Sequence, residues 1–205
     1  MSDLNKELER KYNAEKVVIK EFLQWAMTLG PYEYILIEDA IDDYYVNSEG
    51  YTQRVRHKGP GGQIQLSVKL RTSSRSIINR YEYDLHVSDS TDIVKNYIEG
   101  CGFKHTFSII KTAHIFSFNN TKYPIDLVIY TVSKLDQQLV KTKEEMKIIE
   151  VEIKKGSNVP EEDGLRYLKT WNDRIKSIFD VDILTQSLYE IYSNSSYKIK
   201  EESNG

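Results

Sequence analysis

The sequence predicts an α+β fold, antiparallel strands with helices packed outside them, on three observations. Apolar residues recur at every second position through much of the chain, the spacing of a strand with one buried face. Four windows recur at helical spacing instead, each bounded by capping or breaking residues. The charged residues of the strands fall opposite the apolar ones and carry both signs.

Taken in order, Asn13 can cap a helix from Ala14 to Leu29, with Val17, Phe22, Leu23 and Ala26 on one face and Gly30-Pro31 ending it. From Tyr34 to Val87 the period is two, punctuated by turn sequences at Asn47–Gly50 and Gly59–Gly62. Ser90 or Thr91 caps a second helix, Asp92 to Glu99, ended by Gly100 and Gly102. Strands resume over Phe107–Phe118 and Tyr123–Tyr130 around a tip at Asn119-Asn120. Residues 133–147 are polar with little periodicity and read as a loop or short helix before a strand from Ile148 to Lys154. Leu165, Leu168, Trp171, Ile175 and Ile178 mark a third helix, and Leu184, Leu188 and Ile191 a fourth. The expected organisation is one domain over residues 1–192 and a polar tail over 193–205.

The chain has 205 residues, 28 Lys plus Arg against 31 Asp plus Glu, and a net charge of -3. That balance provides no bulk positive field for nucleic acid, so an anion site must be local. Cys101 is the only cysteine, which excludes an internal disulfide and a multi-cysteine zinc site and fits a reducing, cytoplasmic location. No stretch approaches the roughly 20 apolar residues of a membrane helix, and no secretory signal is expected.

The informative residues are the alternating charges. Glu7, Glu9 and Lys11 sit two apart, and Glu150, Glu152 and Lys154 repeat the spacing near the other end. Between them lie Arg54 and Arg56, Lys69 and Arg71, Arg80, Glu82 and Asp84, and Asp126, each next to at least one apolar residue. For any single strand the simpler explanation is a charged face turned to water. The alternative is a closed antiparallel barrel of about eight strands with a charged lumen, wide enough for one small ligand. Acids and bases that pair with one another or with bound ions would offset the cost of enclosing them. Glu7 to Lys11 has a further alternative, because Leu4, Leu8 and Tyr12 recur every four residues and would extend the first helix backwards.

At these residues the chain resembles the CYTH superfamily, the triphosphate tunnel metalloenzymes that include class IV adenylate cyclases and thiamine triphosphatases. ELERKYNA is similar to the family's opening strand, and DDYYVN, RVRH, SVKLR, RYEYDL, PIDLV and IIEVEIK follow in the family's order, with TQSLYEIY similar to its closing helix. The resemblance spans nearly the whole chain and favours the strand for Glu7 to Lys11. It implies a tunnel in which Glu7, Glu9, Glu150 and Glu152 hold Mg2+ or Mn2+, with Asp126 and Glu82 assisting. Lys11, Arg54, Arg56, Lys69, Arg71, Arg80 and Lys111 would clamp a triphosphate. Glu7, Glu9, Lys11, Glu150 and Glu152 would be the catalytic set. Where the family has Lys-x-Arg after the second helix, this chain has Lys111 and then Ala113.

The activity so implied is metal-dependent hydrolysis of a triphosphate, inorganic triphosphate or ATP among the candidates. Nucleotidyl cyclisation and non-catalytic binding of nucleotide or polyphosphate are the alternatives. The expected partner is a small triphosphate, with an RNA 5'-triphosphate end the one nucleic acid in view, acting in a monomer or homodimer.

Overall fold

The computed structural model describes residues 6–58, 64–71, 78–87, 90–136, 138–154 and 159–193. Nine strands form one antiparallel sheet: β1 (Lys6–Asn13), β2 (Glu33–Val46), β3 (Thr52–Lys58), β4 (Ile64–Arg71), β5 (Ile78–Val87), β6 (Lys104–Phe118), β7 (Ile125–Leu135), β8 (Lys141–Ile153) and β9 (Asp182–Leu184). Three helices lie between them, α1 (Ile19–Met27), α2 (Thr91–Gly100) and α3 (Glu161–Lys176), and residues 188–193 add a short fourth, α4.

The strand order is β5-β4-β3-β2-β6-β7-β8-β1-β9, with a further pairing of β1 to β5. One edge of β1 carries β8 over Leu8–Asn13; the other is shared by β5 over Lys6–Glu9 and β9 over Lys11–Asn13. The β1–β5 seam is four residue pairs long. The sheet is therefore a curled, tunnel-like wall of nine strands rather than the uniformly closed barrel of about eight that the sequence predicts. The reason is local: β9 occupies the half of β1's edge that β5 leaves.

One face of the wall is apolar and covered. Leu8, Tyr12, Leu127, Ile129, Ile149, Val151 and Ile153 pack with Phe22 and Ala26 of α1 and Leu168, Trp171 and Ile175 of α3 in the largest core cluster. Gly164 lets α3 approach closely, since a Cβ there would stand 2.6 Å from Leu8 Cδ1. On the same side of the sheet, α2 buries Val94 and Ile98 against Tyr45, Val55 and Ile64. Asp43 anchors it there, 2.7 Å from Lys95 Nζ, and also takes hydrogen bonds from His57 and Ser108.

The opposite face is not uniformly charged, contrary to the strict separation read from the sequence. Phe107, Ile109 and Ala113 of β6 and Val128, Tyr130 and Val132 of β7 form a second core with Tyr44, Ile148 and Tyr192. Tyr192 of α4 is buried there and donates to the Val132 carbonyl at 3.3 Å. Apolar burial thus fills part of the interior and holds the C-terminal segment against it.

Several boundaries differ from the sequence reading. Helix α1 starts at Ile19 rather than Ala14, because Asn13 Oδ1 accepts from the Glu15 amide and Lys147 Nζ binds the Glu15 and Val17 carbonyls, holding that stretch as a turn. Residues 133–147 are not a loop or helix; β7 and β8 run on into a hairpin whose turn is built by Asp136 Oδ1 accepting from the Gln138 and Val140 amides. Asp182–Leu184 is a strand, not the start of the fourth helix. The Gly59–Gly62 turn and the tail after Ser193 lie outside the described residues.

Candidate functional site

The strand alternative for the N-terminal triplet is the one observed. In β1, Glu9 is registered opposite Glu152 of β8 and Lys11 opposite Glu150. Residues directly opposite on antiparallel strands share a face, so two chain segments about 140 positions apart meet side by side. Ligand oxygens of Glu9, Glu150 and Glu152 lie within 4.8 Å of one another; Glu9 and Glu150 are buried and Glu152 is partly so. Lys11 Nζ sits between two of them, 2.5 Å from Glu9 Oε1 and 3.1 Å from Glu150 Oε2.

The donor set suits a hard divalent cation, which prefers several carboxylate oxygens in one place. The Lys11 ammonium, drawn into the same acids, marks where positive charge is stabilised. Glu7, the fourth expected ligand, is registered opposite Arg80 of β5, but the side chains of Glu7, Lys69, Arg71, Arg80, Glu82 and Asp84 lie outside those described. Asp126 is opposite Glu152 in register, yet its carboxylate accepts from Ser117 at 2.6 Å and stands 3.5 Å from Lys154 Nζ. Lys154 also donates to Asn119 at 3.0 Å, at the end of the hairpin, so it serves Asp126 and the β6–β7 connection.

The basic groups come from β3 and β6. Arg54 is held by Ser67 at 2.9 Å. Arg56 makes a bidentate pair with Asp42, Nε to Oδ1 and Nη2 to Oδ2 both at 2.7 Å. Asp42 is almost completely buried; burial raises its pKa, but Arg56, Arg54 and Lys111 prevail and hold it down at about 2. Lys111 lies 3.6 Å above the Tyr130 ring. Burial lowers its pKa to about 8 against the pull of Glu150 and Asp42, with Arg56 and Lys11 reinforcing the fall. Tyr130 in turn donates to Glu150 Oε2 at 3.2 Å, and burial together with Glu150 raises its pKa far above the ordinary value.

These couplings connect β1, β2, β3, β6, β7 and β8 through one polar interior. Carboxylates gather on the β1–β8 side and fixed cations on the β3–β6 side. Such an arrangement of side chains can hold a polyanion by its oxygens while a cation at the carboxylates balances the charge. Ala113, fully buried opposite Tyr130, adds no charge where the resembled family has one.

Sequence reasoning missed Asp42, Ser67 and Tyr130. Asp42 had a signal: counting in twos from Tyr44, opposite Arg54, places Asp42 opposite Arg56. The adjacent Asp43 hid it, since two acids in succession leave the parity open. Tyr130 sits at an apolar position of a hydrophobic run, where only the register shows what its hydroxyl reaches.

No protein-family model matches the chain, and no curated protein matches it in sequence. Solved structures do match. A protein of Pyrococcus horikoshii OT3 superposes with a TM-score of 0.66 at 18% identity, over 90% of this chain and 98% of that one. A chain of the Schizosaccharomyces pombe Mediator head module gives 0.62 at 12% identity, over 87% and 100%. The mimivirus capping enzyme triphosphatase gives 0.52 at 11% identity, over 85% and 89%. The fold is common to all of them. At these identities the likeness concerns architecture, which a capping enzyme triphosphatase and a chain of the Mediator head module share.

Proposed function

We propose that the protein is a metal-dependent triphosphate hydrolase of CYTH type, acting on the inner face of the curled, tunnel-like sheet. The observation that carries this reading is the carboxylate trio of Glu9, Glu150 and Glu152, assembled from the two ends of the chain on a face shared with Lys11. The fold of the mimivirus capping enzyme triphosphatase supports it at the level of architecture.

Glu9, Glu150 and Glu152, with Glu7 beside them in sequence, would hold Mg2+ or Mn2+, which supplies charge neutralisation for the phosphate oxygens. The protein's own groups do the rest. Arg54, Arg56 and Lys111 bind the non-bridging oxygens, and Lys69, Arg71 and Arg80 extend the same clamp along β4 and β5. Lys11, which bridges Glu9 and Glu150, would offer its ammonium to a phosphate oxygen. A water oxygen attacks the terminal phosphorus as the anhydride bond breaks, and the bridging oxygen departs with the electron pair. The water's proton passes to Glu152, the one of the three acids that is not fully buried. Orienting the chain and stabilising its charge provide most of the acceleration in phosphoryl transfer.

A second reading, a non-catalytic binder of polyphosphate or nucleotide, is favoured by two observations. Arg56 is already engaged by Asp42, and position 113 is Ala. The test is to incubate the protein with inorganic triphosphate, ATP and a 5'-triphosphate RNA in Mg2+ or Mn2+ and identify the products. Orthophosphate supports hydrolysis, cyclic nucleotide with pyrophosphate supports a cyclase, and saturable binding without products supports the binder. Glu9→Gln and Glu152→Gln should each lower kcat at least about 100-fold. Full metal-dependent turnover in both would overturn the assignment.

A further inference from the structure

Strand β2 is longer than its partner on one side. Its C-terminal half, Ala40–Val46, is sandwiched between β3 and β6, but over Glu33–Ile37 it pairs with β6 alone among the described residues. A bulge between Ile37 and Ala40, with Asp39 at φ 47, separates the two halves. Among the described residues, the free half therefore presents its outward backbone donors and acceptors with no strand opposite them. Its side chains are exposed as well: Tyr34, Ile35 and Leu36 show 44%, 49% and 43% of their surface. Tyr34 and Leu36 lie on one face, opposite Phe116 and His114, and Ile35 lies on the other, opposite Ile115. Tyr34 makes a 2.7 Å hydrogen bond with His114 Nδ1 and packs against Phe116, which holds its ring on β6.

Exposed edges are normally blunted by lysine, proline or an inward charge. This one has acids at both ends, Glu33 before the apolar run and Glu38 and Asp39 after it, and no base within it. Lys141 stands 4.0 Å from Asp39 Oδ1 with both side chains largely in solvent, too loosely to neutralise the end.

We propose that Glu33–Ile37 is a docking edge that receives an extended segment of a partner protein as an added strand, apolar at its centre and carrying Lys or Arg at both ends. The backbone row supplies the binding and requires an extended occupant. The acids at each end choose the partner by charge. A second copy of this chain fits worse: antiparallel self-pairing over Glu33–Ile37 sets Glu33 opposite Ile37 and brings it beside Glu38 of the other copy, so acid meets acid at both ends and no base answers either. The inference rests on the edge alone and stands or falls apart from the tunnel chemistry.

The test uses fluorescein-labelled heptapeptides, Lys-Thr-Val-Thr-Val-Thr-Lys and its counterpart with Glu at both ends, titrated with the full chain by fluorescence anisotropy. The basic peptide should bind at least about tenfold tighter than the acidic one, with the gap narrowing at high salt. N-methylation of alternate peptide amides, or Ile35→Pro in the protein, should abolish the binding. The double variant Glu33→Lys/Glu38→Lys changes only exposed side chains and should invert the preference between the two peptides. Equal binding of both, no binding of either at millimolar peptide, or a dimer in sedimentation velocity that Ile35→Pro dissolves would each overturn the proposal.

Discussion

Asp42→Asn should destabilise the protein by several kcal/mol and flatten its acid unfolding. Asp42 is enclosed, and its pKa is held at about 2 against an ordinary 3.8, chiefly by the two-point grip of Arg56 working against burial. That difference corresponds to ~2.5 kcal/mol of preference for the ionised form in the fold. Because the folded pKa is depressed, the stabilisation is complete above about pH 4 and is lost as pH falls towards about 2. The asparagine variant forfeits it at every pH and leaves the Arg56 guanidinium buried without its anion, for a total of about 3 to 5 kcal/mol at pH 7. Urea titrations at pH 7, 5 and 3, followed by tryptophan fluorescence, give the comparison. The gap between wild type and variant should be widest at pH 7 and shrink as the acid form of Asp42 is approached. A variant within about 0.5 kcal/mol of wild type at pH 7, or two curves that fall in parallel with acid, would refute the reasoning. The same substitution frees Arg56 for other anions, so a folded Asp42→Asn protein should bind inorganic triphosphate severalfold more tightly.

Lys111, lowered to about 8 by burial, loses its charge as pH rises through that value, so triphosphate affinity measured by calorimetry should fall between pH 7 and pH 9. Lys111→Arg keeps the charge and should flatten that profile. Since the unfolded lysine holds its proton to higher pH, the destabilisation from burying Lys111 should be relieved between about pH 8 and 10.5, so stability rises with pH there, the same direction as for Asp42 in its own acid window. Tyr192→Ala empties a buried position in the interior core and should cost about 3 to 5 kcal/mol in denaturant unfolding. Glu150→Gln should weaken Mn2+ binding at least about tenfold by electron paramagnetic resonance titration, with secondary structure unchanged by circular dichroism.

Much of the architecture was legible because alternation is strict where one face of a strand is buried and the other polar. Arg54-Val55-Arg56 and Glu150-Val151-Glu152 announce both the strand and the face. The signal failed where polar and apolar residues follow no period of two, or where both faces are apolar. The outer halves of β7 and β8, from Thr131 to Leu135 and from Lys141 to Lys147, are a hairpin held by main-chain pairing and an aspartate turn, which periodicity does not see. The inner faces of β6 and β7 read as ordinary core and gave no hint that α4 packs into them. For the carboxylates, spacing alone left Glu7 to Lys11 open between helix and strand, and the resemblance implied Glu7, Glu9, Glu150 and Glu152 together, of which the structure brings three side by side. Their register, and the engagement of Arg56 by Asp42 and of Lys154 by Asp126, belong to pairings between distant strands that no local pattern encodes.

The split edge of β1 bears on how the protein is made. Strand β1 cannot be satisfied by its neighbours in sequence; it waits for β5, then β8, and finally for β9. Contacts of such long separation are slow to form, and until they do β1 exposes two open edges. The acids that would gather a cation are brought together by the same late pairing. A nascent or truncated chain lacking β8 carries Glu9 and Lys11 but no Glu150 or Glu152, so the site is withheld until synthesis has passed Glu152.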